Sequence, residues 1–205
     1  MGMTELLVLQ AMRLKGRITA EAAAACAMTG VSEAGERLAE LANAGLAKQA
    51  GNAFRITPQG RERLAELLRQ ERQGVDQAAL DQCYRDFDEV NTELKSIVTS
   101  WQLKDGQTPN DHTDPDYDQQ VVDRLVALHG RFAELLARMV EFVPRLRSYQ
   151  SRLDHAVERL EQGDHSFVAR PIADSYHTVW FELHEELIGL LGLSRAEEAA
   201  AGRAV

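Results

Sequence analysis

The tightest local constraint in this 205-residue chain lies between Gly45 and Leu68. Two short strand-like runs, 46–50 and 53–56, flank Gly51-Asn52, a dipeptide that tolerates the positive φ of a tight hairpin. Thr57-Pro58 then restarts a helix, with Thr as N-cap and Pro at the first helical position, where its missing N–H costs nothing. Leu64, Leu67 and Leu68 give that helix its apolar stripe.

Upstream, the apolar spacing predicts a short helix over 4–14, stopped by Gly16. Thr19 is placed to cap an alanine-rich helix over 20–28, and Ser32 to cap a third over about 32–44, ending at Gly45. Three helices, a hairpin and a fourth helix within about seventy residues is the order of a winged helix-turn-helix, with the hairpin as its wing.

Beyond Gly74 and Asp76 the pattern is helical throughout. Apolar residues recur every three or four positions over 77–101, over 116–142, over 145–161, and from near Pro171 to Leu191. The polar stretch 104–115 reads as a loop. The expected fold class is therefore mainly α. A winged helix-turn-helix with a small β-hairpin wing occupies 1–73, an antiparallel four-helix bundle 76–193, and a flexible tail 194–205.

Charge divides along the same line. Residues 1–72 hold ten Lys/Arg against eight Asp/Glu, a net of +2, whereas the remainder holds thirteen against twenty-four, a net of −11. An acidic second part is a poor match for phosphate, so any nucleic-acid contact belongs to the first. No apolar run approaches the ~20 residues of a membrane helix. The start MGMTELLVLQ has neither a secretory nor a myristoylation pattern, so a cytoplasmic location is expected. Cys26 and Cys83 suit neither a disulfide framework nor a CxxC metal site.

The third helix is the candidate recognition helix. Turning Ala34, Leu38 and Leu41 inward points Glu33, Glu36, Glu40 and Asn43 outward, with Arg37 on the flank. Three outward carboxylates are unfavourable beside two phosphate backbones, so contact with operator DNA would lean on the wing. The candidate DNA-binding residues are Ser32, Arg37, Asn43, Lys48, Asn52 and Arg55. Further cations stand at Arg13, Lys15, Arg17, Arg61 and Arg63.

In the second part, Trp101, His129, Tyr176, His177, Trp180 and His184 are candidates for a polar-aromatic effector pocket between helices. A metal site is the weaker alternative. His177 and His184 are seven residues, about 10.5 Å, apart along one helix, too far for one ion. One of them could instead join His129 and Asp86. The loop PNDHTD lacks EF-hand spacing and reads as a solvated loop carrying an N-cap Asp. No P-loop, GxSxG or GxGxxG motif occurs, so no enzyme and no cofactor is expected.

The stretch NAGLAKQAGNAFRITPQGRERLAELL resembles the wing and following helix of MarR-like winged helices. The segments LKSIVTSWQ (94–102), PNDHTDPDYD (109–118), RLDHAVERLEQGD (152–164) and DSYHTVWFELHEELIGLLG (174–192) resemble a helical region in actinobacterial proteins described as transcriptional regulators. Similar regions are appended to pyruvate, phosphate dikinase-like and other phosphoenolpyruvate-utilising enzymes. The resemblance implies this architecture and a regulatory role; binding of double-stranded operator DNA is the preferred reading, a homodimer is expected from the two-fold logic of such readers, and the candidate pocket adds a small-molecule effector as a further partner. A protein-interaction module acting on a metabolic enzyme is the rival it leaves open.

Overall fold

A computed structural model describes residues 4–200 and 202. The protein is mainly helical with a small antiparallel sheet, and it divides into two compact units, Met1–Val75 and Asp76–Val205. No helix among the described residues is long and apolar enough to cross a membrane.

The first unit runs α1 (Glu5–Lys15), β1 (Ile18–Thr19), α2 (Ala20–Ala27), α3 (Val31–Asn43), β2 (Ala47–Ala50), β3 (Ala53–Ile56) and α4 (Pro58–Gln73). Thr4, Thr19 and Thr57 cap α1, α2 and α4, their hydroxyls accepting from the amides of Leu7, Ala22 and Gly60. Helix α3 is different. Its N-cap is Gly30, and the expected cap Ser32 stands inside the first turn. Met28 ends α2 in the left-handed region, so the chain re-enters helix earlier, and the Thr29 hydroxyl reaches the Glu33 carboxylate.

The C-terminus of α3 closes in a Schellman arrangement, with Leu46 N–H donating to Leu41 O and Gly45 N–H to Ala42 O. Strands β2 and β3 pair from Ala47↔Ile56 to Ala50↔Ala53 around a two-residue turn. Gly51 takes φ +66° at its first central position, the geometry that matches strand twist in tight hairpins. Strand β1, too short for any alternation to mark in sequence, adds to the other edge of β3. Val8, Leu9, Met12, Ile18, Ala34, Leu38, Ile56 and Leu64 form the core.

The second unit comprises α5 (Gln77–Gln102), β4 (Leu103–Lys104), β5 (Thr108–Pro109), α6 (Pro115–Phe142), α7 (Arg147–Glu161), α8 (Tyr176–Leu191) and α9 (Arg195–Ala200). Helix α5 packs on α6, α6 on α7, α7 on α8, and α8 back on α5. Leu80, Phe87, Ile97, Leu125, Phe132, Leu153, Val179 and Leu187 fill the interior. Cys26 and Cys83 are buried and not joined in a disulfide.

Three expectations need correction. The 104–115 loop contains a small ladder, β4 against β5, turned at Asp105 and Gly106, both with positive φ. Helix α8 starts at Tyr176 rather than near Pro171, because Ile172 takes φ +63° and stands fully exposed in the preceding turn. The tail expected to be flexible holds α9, whose Glu198 is buried and accepts from the Tyr84 hydroxyl at 2.7 Å. Residues 201 and 203–205 of that tail lie outside the described residues.

Candidate functional site

The hairpin of the first unit aligns two cations, and a third stands beside them. Lys48 on β2 lies directly opposite Arg55 on β3, so both side chains share one sheet face. On the other edge of β3, Ile18 pairs with Phe54, so Arg17, the residue before β1, lies near Arg55. All three residues are exposed, and none meets a carboxylate among the described residues. Like charges directly opposite one another destabilise a sheet, so the Lys48–Arg55 pair is electrostatically costly until an anion sits on it. Arg17 is brought near the pair by β1, a strand too short to be read from the sequence.

The outer face of α3 has the opposite character. Ser32, Glu33, Glu36, Glu40 and Asn43 are exposed, and Arg37 is half-buried. The Arg37 guanidinium donates to Glu40 at 2.8 Å, and the Ser32 hydroxyl donates to Glu36 at 3.4 Å. The one cation of this face is thus neutralised within its own helix. Asn52, at the hairpin turn, is exposed.

In the second unit the six candidate pocket residues do not meet in one cavity. His177, Trp180 and His184 line a recess of about 60 Å³ together with Asn91, Lys95 and Arg195. That volume holds a few waters, well below the ~300–1,000 Å³ of ordinary ligand pockets. Trp180 stacks on Phe87 at 4.9 Å, and its indole N–H donates to Asn91 Oδ1 at 3.0 Å. Tyr176 is fully buried, with its hydroxyl 3.4 Å from His129 Nδ1. Trp101 lies in a separate cavity with His112 and His165. Helical periodicity assigns a face and leaves the level along the axis open, which is how one predicted cluster becomes three.

His184 and His129 each have polar partners within the helical unit. The Tyr84 hydroxyl donates to Glu198, so its oxygen accepts from His184 Nε2–H at 3.0 Å. Burial first, then the positive charges of Lys95 and Arg195, push the His184 imidazole down to about 4, against the opposing pull of Glu198. Between that value and the ordinary ~6.5 of an unfolded histidine, only the unfolded chain takes up the proton. The stabilising effect is complete above about pH 6.5 and fades as pH falls toward 4, by on the order of 2 kcal/mol. Urea midpoints read by tryptophan fluorescence at pH 7.5 and 4.5 should therefore fall further for the native chain than for His184→Gln. Equal falls would refute this assignment. Burial likewise lowers His129, although Asp154 sits 3.2 Å from its Nε2.

His129 does not meet Asp86, which is paired instead with Arg138 at 2.8 Å. No group of three or more His, Cys, Asp or Glu among the described residues is placed to hold a metal. In the PNDHTD loop the carboxylates serve the loop itself. Asp114 caps α6, and Asp111 accepts from the amide and hydroxyl of Thr113.

A buried ionic network went unrecognised in the sequence. The Arg152 guanidinium grips Asp174 with two hydrogen bonds, 2.7 and 3.0 Å, and reaches Glu182 at 2.7 Å. Arg145 lies 2.7 Å from Glu186, which also accepts from the Tyr149 hydroxyl at 3.0 Å. Burial and the two glutamates hold the Tyr149 phenol well above its usual range, so it remains a donor. The spacing of Arg145, Tyr149 and Arg152, and of Glu182 and Glu186, puts each set on one helical face. That was the available signal.

Comparison with protein-family models, with curated proteins and with solved structures returned no match for this chain.

Proposed function

We propose that the protein is a non-enzymatic transcriptional regulator whose first unit is a MarR-like winged helix-turn-helix and binds double-stranded DNA. In this reading the second unit is a four-helix bundle that serves dimerisation, effector sensing or both, in a cytoplasmic homodimer. The observation that carries the reading is the exposed pair Lys48 and Arg55, directly opposite one another on the hairpin, with exposed Arg17 just before the neighbouring strand. Basic side chains on a wing can follow a phosphate backbone while an adjacent helix faces the groove. Contact through the wing also suits a third helix with exposed Glu33, Glu36 and Glu40.

Those same carboxylates favour a second reading, in which α3 docks on a basic protein partner such as a metabolic enzyme. Fluorescence anisotropy with labelled duplex DNA separates the two. The full chain should bind at about 50 mM salt and weaken steeply by about 200 mM, the signature of counterion release. Lys48→Ala with Arg55→Ala should weaken binding by about tenfold or more, and Arg37→Ala much less, because Glu40 already neutralises that guanidinium. Absence of binding to any duplex at low salt would favour the protein-partner reading.

A further inference from the structure

The cavity that takes up Trp101 has the composition of a ligand site. It measures about 420 Å³, within the range of small-molecule pockets. Its walls are Trp101 from the last turn of α5, His112 from the following loop, Asp118 from the first turn of α6, and His165, Ser166, Ala169 and Arg170 from the segment after α7. Three aromatic rings share it. Trp101 stands between His112, at 4.4 Å between centroids, and His165, at 6.5 Å.

The polar groups are biased toward donors. Arg170 is exposed and has no acidic partner among the described residues, and no polar side chain there engages the His165 ring nitrogens. The only carboxylate of the lining, Asp118, is buried and already engaged, accepting from Asn110 Nδ2 at 2.8 Å and from His112 Nδ1 at 2.9 Å. A carboxylate at Nδ1 fixes the proton there and makes Nε2 of the neutral ring an acceptor, so the donors that face the cavity are Arg170 and a His165 ring N–H.

The walls are also held in place. Asn110 donates to Trp101 O at 3.1 Å, and its Oδ1 accepts the His112 amide at 3.1 Å. One asparagine thus clamps Trp101, His112 and Asp118 together. Preorganisation of this kind reduces the ordering cost of binding.

We propose that this cavity binds a small aromatic anion, its ring against Trp101 and the Ala169 methyl, and its anionic oxygens toward the Arg170 guanidinium and a His165 ring N–H. The proposal is independent of DNA binding by the first unit. Titration calorimetry of the full chain tests it with two probes that share a ring and differ in head group, benzoate and phenyl phosphate. Neutral phenol and cationic benzylamine are the controls.

At least one anion should bind with a Kd of about 1 mM or tighter, a value ordinary for a ligand of about ten heavy atoms. The tighter of the two names the head group. Phenol and benzylamine should bind at least about tenfold more weakly, and Arg170→Gln should weaken the anion by about tenfold. His165→Gln is the second variant, and it should also weaken binding should Arg170→Gln fail to fold. Trp101→Phe should remove most of the accompanying fluorescence change. The proposal is overturned if neither anion binds, if phenol binds as well as the anions, or if both pocket variants keep native affinity.

Discussion

Replacing Arg152 with Ala should lower the stability of the helical unit by about 3–5 kcal/mol, the usual cost of stranding a buried charge. Arg152 is 6% exposed and serves Asp174 and Glu182 together, with Glu182 4% exposed. Asp174 is partly exposed and can return to water, whereas Glu182 cannot. The penalty therefore falls mainly on the carboxylate of α8. Both tryptophans, Trp101 and Trp180, belong to the second unit, so urea unfolding followed by tryptophan fluorescence reports on it alone. A double substitution, Arg152→Met with Glu182→Leu, should be less damaging than Arg152→Ala, because an apolar pair of similar volume removes the charge that the single change strands. A loss below about 1 kcal/mol for Arg152→Ala would show that the network is solvated and does not lock α7 to α8.

The second large effect is expected at Gly60, in the first turn of α4. Alanine is the better helix former by about 1 kcal/mol, so local propensity alone predicts a gain. The fold reverses that sign. A Cβ at this position would stand 2.1 Å from Leu46 O and 2.8 Å from Ile56 Cγ1. The obstacle is a backbone carbonyl that already accepts from the Thr57 amide at 3.1 Å, and Thr57 Oγ1 donates to the neighbouring Gly45 O at 2.7 Å. The start of α4 is stitched to the turn before β2, and neither side can yield cheaply. Gly60→Ala should cost about 3 kcal/mol or more and loosen the hairpin. Thermal melting by far-UV circular dichroism, with hydrogen exchange at Thr57 and Leu46, measures it. An unchanged or raised melting temperature would mean that α4 does not approach the turn this closely.

Much of the chain is legible in sequence wherever one residue's backbone demand decides the outcome. Thr19 and Thr57 announce their helices because a capping hydroxyl satisfies amides a few residues away, and Gly51 announces its hairpin turn. The long amphipathic stretches are equally visible, since a 3.6-residue period survives over 25 residues. Legibility ends where an element exists only through a partner. Strand β1 is two residues long and owes its conformation to β3. Helix α9 has little apolar pattern of its own and is tied to α5 by the bond between Tyr84 and Glu198. Ser32 looks like a cap, yet the left-handed turn at Met28 passes that role to Gly30.

The candidate sites follow the same division. Exposed Lys48 and Arg55 can be found from hairpin spacing, but Arg17 comes near them only because β1, which follows it, pairs with β3. Trp101 stands out as an aromatic residue near a polar loop. His165 and Arg170 lie more than sixty residues away and join it only through the packing around α7. His184 was visible too, but its hydroxyl partner lies one hundred residues distant on α5. An isolated histidine on a helix gives no sign of whether it lines a cavity or fills a core.

The central claim, that the first unit binds DNA through its wing, is tested most directly by the salt dependence of duplex binding. The comparison is between the native chain and Arg17→Ala/Lys48→Ala/Arg55→Ala, on duplexes spanning the region upstream of its own coding sequence and on random DNA. Each phosphate contact contributes about −0.9 to the slope of log K against log salt, so loss of the three cations should make the slope shallower by about 2–3. An unchanged slope, or a native chain that binds no duplex at about 50 mM salt, would contradict the account.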